Sequence, residues 1–214
     1  MFKTILQGGY MMIPLMFLSV LTIAVVIDRA MAFMKNRSVD VQSLRAEVMR
    51  LVKDGNIQDA ILLCASTPGP VSAVILAGLQ SLQNLQNAGE STNAIRVVMA
   101  KSMDDYALHA ISAVQKRLSI LDTVGNSAPL FGMSGTVLGM ISAFANMAQS
   151  SGLDASVVAG GISEALITTA GGLLIALGEV IPLKIFSSFA EEIELEIEDA
   201  STELVEFAVL SSQE

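Results

Sequence analysis

The 214-residue chain has no tryptophan, one cysteine, one histidine, and 12 basic residues against 21 acidic ones. Each shortage removes a class of function. Cys64 alone excludes an internal disulfide and a cysteine metal site. His109 alone leaves no histidine pair for zinc or for a metalloprotease helix, so neither a metal nor a cofactor is expected. A net charge of −9, no basic stripe, and only two Tyr and eight Phe to stack on bases argue against nucleic acid as a partner. Charge is itself scarce, at 15% of residues, where soluble domains average about 25%. With 52% hydrophobic residues the chain has the composition of a membrane protein carrying a sizeable polar part.

What is present in quantity is long uncharged apolar sequence, which sets the spans. No charge occurs between Lys3 and Asp28, so an outer N-terminal segment 1–9 leads into a first span over 10–33. No residue from Thr123 to Leu153 is ionisable, and the second span is placed at 121–148. A short outer loop, 149–156, separates it from a third span at 157–186, which is interrupted only by Glu164, Glu179 and Lys184. The first run is too long for a signal peptide, and Asp28-Arg29 intervene before the small-residue site Ala30-Met-Ala32; it reads as an uncleaved anchor. Of the 12 Lys and Arg, only Lys3 precedes the first span and the 149–156 loop has none. The positive-inside rule then puts the N-terminus outside, and residues 34–120 and the acidic 187–214 segment in the cytoplasm.

The cytoplasmic region reads as helical. Asp40 caps a helix to Lys53 that Gly55 ends, and Asn56 caps a second to about Ser66. Thr67-Pro-Gly-Pro70 breaks the chain and Pro70 opens a third helix, ended by Gly89. A long helix from about Ser91 is expected to feed straight into the second span. The third span is expected to continue as a helix to about Leu210. There is no internal repeat. The fold class is an all-α membrane protein: three transmembrane helices, with long helices extending into the cytoplasm.

Glu164 is the residue that most demands explanation. A carboxylate within a spanning helix costs about 2.5–3.5 kcal/mol on insertion scales, and is kept where it faces a wet cavity, a partner helix or a moving ion. On a helical wheel Gly161, Glu164, Thr168, Gly171, Gly172, Ile175 and Glu179 share one face. Thr136 and Asn126 add polar groups on the second span. Two readings stand: a water-lined ion pathway, or a protonated acid bonded to a neighbouring helix while the threonines bond their own backbone. Gly132 with Thr136, and Gly135 with Gly139, make small-residue faces suited to close helix packing. Glu179 is expected to snorkel or to pair with Lys184, Asp28-Arg29 to anchor at the interface, Cys64 to be core, and the Glu191–Asp199 run to be a solvated face. No span carries a string of acids that relays a proton alone, so a second titratable group from another chain is implied if ions cross.

Asn126-Ser-Ala-Pro-Leu-Phe-Gly-Met-Ser-Gly-Thr-Val-Leu-Gly-Met-Ile141 and Gly161-Ile-Ser-Glu-Ala-Leu-Ile-Thr-Thr-Ala-Gly-Gly-Leu173 resemble two segments of the ExbB/TolQ/MotA proton-channel family. A weaker similarity covers Asp54–Cys64 and Pro68–Gly78. The three-span layout is more similar to the ExbB/TolQ side than to MotA. The resemblance implies a homo-oligomer, a pentamer, in the bacterial inner membrane around two copies of a single-span partner like ExbD or TolR. The partner's membrane aspartate would sit beside Thr136 and Thr169, with Glu164 matching the family's pore glutamate and Thr168 the other motif threonine. Such a complex uses the proton motive force as a molecular motor, driving transport or mechanical work across the envelope. Proton and sodium would use similar oxygens. This sequence departs from the pattern at Gly178, Glu179, Pro182 and Leu183-Lys184, so the helix bend and the inner mouth are expected to differ. A non-conducting scaffold that assembles the partner is the alternative. An enzyme is not expected, for lack of a paired aspartate, a Ser-His or Ser-Lys arrangement, or a metal set.

Overall fold

The computed structural model describes residues 8–37, 39–149 and 155–211, and every regular element among them is an α-helix. Seven follow in order: α1 (Met12–Arg37), α2 (Val41–Lys53), α3 (Ile57–Ser66), α4 (Pro70–Ala88), α5 (Thr92–Gln115), α6 (Leu118–Gln149) and α7 (Ala155–Ser211). Of the expected outer segment only Gly8 and Gly9 are described, and residues 150–154 of the outer loop lie outside the described residues. Three helices, α1, α6 and α7, are long and apolar enough to cross a membrane.

The chain divides into two compact units: residues Met1–Arg29 with Arg117–Phe186, and Ala30–Lys116 with Ser187–Glu214. In the first, α1, α6 and α7 meet at Leu15, Ala128 and Ala176, with Met12, Leu18 and Ile175 packed around them. Closeness comes from missing side chains. A Cβ on Gly172 would stand 2.6 Å from the Ala128 carbonyl oxygen and 3.0 Å from the Gly132 Cα. One on Gly161 would stand 2.5 Å from the Ala143 Cβ, and one on Gly139 3.0 Å from the Ala165 Cβ. These are contacts of backbone on backbone or on an alanine methyl, the close approach open to helices in lipid. The opposite faces are apolar and exposed, as at Phe17, Val20, Ile23, Val137, Ile141, Leu173, Leu177 and Ile181.

The second unit is built on large side chains. Val48, Val74, Leu79, Leu82, Met99, Met103 and, from the end of α7, Leu204 are fully buried, and Ile193 and Ile197 of the same helix are buried. Asp40 caps α2 through the Ser43 N–H at 3.1 Å. Ser91 caps α5 through the Ala94 N–H at 3.3 Å. Asn56 stands at the start of α3, but its side chain makes no capping bond, contrary to the sequence expectation. At the Thr67–Pro70 break Gly69 takes φ 148°, a conformation suited to glycine. There the Ser72 hydroxyl is 2.7 Å from the Thr67 carbonyl and 2.9 Å from that of Gly69. Gly89 ends α4 in the left-handed region at φ 66°. Arg45 of α2 reaches Glu203 of α7 with Nε 3.0 Å from the carboxylate.

One expectation is corrected. The helix from Ser91 does not run unbroken into the second span; α5 ends at Gln115 and α6 begins at Leu118. At the break Lys116 keeps helical angles (φ −48°, ψ −38°) and its N–H still reaches the Ser112 carbonyl at 2.9 Å. Arg117, at the step, pairs with Asp28 of α1, which Arg29 also holds at 2.8 Å. The third helix does continue past the expected span, to Ser211, and the Glu191–Asp199 run carries exposed acids beside buried Ile193 and Ile197.

Candidate functional site

Glu164 lies nine residues into α7, about 14 Å along the axis at 1.5 Å per residue. It is half-buried, and its carboxyl lies on Gly9, just before α1. A Cβ there would meet the carboxyl oxygen outright and its carbon at 2.9 Å. Gly9 also has φ 66°, so two separate constraints call for glycine.

One turn along, Thr168 is 1% exposed and its hydroxyl donates to the Gly8 carbonyl at 2.6 Å, with the Glu164 carbonyl at 3.0 Å. Its methyl fills the space that Gly135 of α6 leaves open. Glu164, Thr168, Gly8, Gly9 and Gly135 therefore form one cluster, in which a carboxyl stands among backbone carbonyls and a hydroxyl. Thr169 turns the other way and donates to the Gly132 carbonyl at 2.9 Å, tying α7 to α6. Such interhelical bonds contribute about 0.6 kcal/mol on average. Thr136 is half-buried and bonds its own helix, at the Met133 carbonyl, 2.6 Å away. It makes no described bond to the other two threonines.

The face shared by Gly161, Glu164, Thr168, Gly172 and Glu179 turns toward the chain's own α6 and the start of α1. Gly171 sits 3.7 Å from the Met12 thioether, an ordinary contact. All of the small residues singled out from the sequence, Gly132, Gly135, Gly139, Gly161, Gly171 and Gly172, stand at contacts between chain segments of this unit.

Glu179 overturns its expectation. It is 1% exposed and neither carboxyl oxygen has a hydrogen-bond partner. It neither snorkels nor pairs with Lys184, because five residues on a helix place two side chains about 140° apart. Gly9 and Gly125, which receive the two acids, and Gly8, whose carbonyl receives the Thr168 hydroxyl, were also not singled out as contacts. A helical wheel of one segment cannot register a partner backbone.

Outside the spans, Cys64 is buried, as expected, and burial pushes its thiol up to about 11. His109 lies on an exposed position of α5.

The cluster gathers one acid, one hydroxyl and backbone carbonyls, all oxygen groups, inside an apolar three-helix unit. An ExbB biopolymer transport protein of Neisseria meningitidis is 27% identical over 186 residues, covering 83% of this chain and 80% of its own length. A putative ExbB-like biopolymer transport protein of Synechocystis is 28% identical over 190 residues, 87% of this chain and 70% of the relative. ExbB of Pseudomonas putida is 25% identical over 162 residues, 76% of this chain and 49% of the relative. Residues 66–199, well over half the chain and including α6 with Glu164 and Glu179 of α7, match the sequence pattern of one family. The chain therefore belongs to the MotA/TolQ/ExbB proton channel family.

Proposed function

We propose that this chain is the three-span subunit of a proton-conducting complex of the bacterial inner membrane, which turns the proton motive force into transport or mechanical work across the envelope. Five copies surround a dimer of a single-span partner like ExbD or TolR, with the N-terminus outside and the C-terminus in the cytoplasm. The observation that carries this reading is the setting of Glu164: a carboxyl in a spanning helix, beside the Thr168 hydroxyl and the Gly8 carbonyl, in a chain of this family. Glu164 and Thr168 offer oxygens along the pathway, and Thr169 and Thr136 flank it. The partner supplies a second carboxyl. Each proton yields about 2.3 kcal/mol per 100 mV, so useful work needs repeated steps. Transport rather than catalysis is the activity, and no resident metal or cofactor takes part.

A second reading is favoured by a specific observation. The hydroxyls of Thr136, Thr168 and Thr169 all donate to backbone carbonyls, as threonines in a purely structural helix pair do. On that reading the chain is a scaffold that assembles the partner without conducting.

The test is to co-purify the chain with its partner, count subunits by native mass spectrometry, and measure proton flux in vesicles. Glu164→Gln is expected to abolish proton-coupled work and Thr169→Ala to reduce it, with subunit count unchanged. Undiminished coupling in both variants would favour the scaffold. Repeating the flux with a sodium gradient in place of a proton gradient decides the ion.

A further inference from the structure

About four turns inward from Glu164, α7 carries an acid in an unusual setting. Glu179 is 1% exposed, and both its carboxyl oxygens lack any partner. The carboxyl fills the recess that Gly125 of α6 leaves: a Cβ on that glycine would stand 2.7 Å from the carboxyl carbon and 3.4 Å from Oε1. Among the described residues no cation pairs with it. Lys184 is exposed, and Arg29 of α1 and Arg117, just before α6, both hold Asp28. The charge that does bear on Glu179 has its own sign, Asp122, one turn before Gly125 on α6 and exposed.

A charged carboxylate shut away from water with neither donor nor counter-ion is the costliest state such a group can take. The neutral acid suits this recess, and α6 supplies what it needs. Pro129 lies inside α6 and has no N–H to give the Gly125 carbonyl, its ordinary helical acceptor. An acceptor is thus left on the very residue the carboxyl touches. Asp122, exposed one turn before Gly125 on the same helix, is an acid in touch with water, and its charge reaches Glu179.

We infer that Glu179 is a second proton-exchange site of this chain, serving the inner end of the membrane unit. A proton held on its carboxyl passes, directly or through water, to the Asp122 carboxylate. Glu179 is left briefly ionised and regains a proton from the Glu164 side. No redox change or leaving group is involved. The part this plays in conduction rests on the proton-channel reading; the exchange itself does not.

The experiment is infrared difference spectroscopy on the complete assembly in bilayers, comparing wild type with Glu179→Gln in H2O and in D2O. The expected result is a carboxylic-acid carbonyl band that E179Q removes and that shifts in D2O, with a slower shift in Asp122→Asn. No band sensitive to E179Q would overturn the inference, and so would a band that D2O leaves in place, since that marks a sealed structural acid. Should E179Q fail to assemble, Glu179→Asp moves the band and assigns it equally well. Proton flux on the same vesicles separates the two proposals. Wild-type vesicles that pass no protons defeat the channel reading, and the infrared result still decides Glu179. Flux that E179Q leaves unchanged, with a conducting wild type, removes Glu179 from the pathway.

Discussion

The two units of this chain hold their helices together by opposite means. In the unit containing Glu164, contact is made where side chains are absent, as at Gly139, Gly161 and Gly172. In the other, Leu79, Leu82, Met99 and Met103 keep helices apart and fill the gap. Lipid gives apolar side chains no reason to leave it, so association there depends on close backbones and hydrogen bonds such as Thr169 to Gly132. Water expels apolar surface, and there size stabilises. α7 uses both: Gly161, Ala165 and Gly172 in its first part, then Ile193, Ile197 and Leu204 in its last. The lesson is that one helix changes its packing chemistry along its length while remaining a helix throughout.

Three substitutions test this contrast. Leu79→Ala, at a fully buried position, should have the largest effect, about 2–5 kcal/mol of lost stability in the second unit. The lone, buried Cys64 reports it, because a thiol pushed up to about 11 resists alkylation until its surroundings open. Alkylation no faster than in wild type would refute the prediction. Next come two equal insertions with unequal results. Gly172→Ala drives a methyl group into the Ala128 carbonyl, which cannot yield, and should cost about 1–3 kcal/mol. Gly78→Ala meets the Met103 thioether at 2.5 Å, a flexible group that can swing aside. The better helix propensity of alanine, about 0.5–1 kcal/mol, should bring that variant near neutrality. Melting both in detergent checks the difference, and equal losses would erase the distinction between the units.

The smallest effect concerns pH. Glu196, in the second unit, has its carboxyl raised above the ordinary 4.5, first by burial and then by neighbouring Glu192, against a lowering by Arg45. Its folded form binds a proton more readily than its unfolded form. The resulting stabilisation is complete below the ordinary glutamate value and is lost as pH rises through the folded one. The stability of wild type relative to Glu196→Gln should therefore fall as pH climbs past 4.5. A difference that stays level with pH would show that burial there has no such consequence.

The sequence disclosed most of the second unit, because its punctuation is local. Asp40, Thr67–Pro70 and Gly89 act on their own backbone and can be recognised without knowing their neighbours. The three spans were equally legible from uncharged length. The break at Lys116-Arg117 was not, since it uses neither glycine nor proline and keeps helical angles at Lys116. The cluster around Glu164 was half legible: the wheel put Thr168 on its face, but the Gly8 carbonyl and the Gly9 backbone come from 155 or more residues away. Glu179 was misread because Lys184 is near in sequence and remote on the helix surface. Distance along the chain and direction around an axis are different quantities.

Pro129 and Pro182 lie inside α6 and α7, each opposite a glycine four residues back, Gly125 and Gly178. At these two turns the ladder already lacks a rung. Flexing a helix there ruptures nothing that was joined, whereas flexing it elsewhere must first break a bond. In an apolar medium, where every broken backbone bond is costly, these two turns are where α6 and α7 bend at least expense.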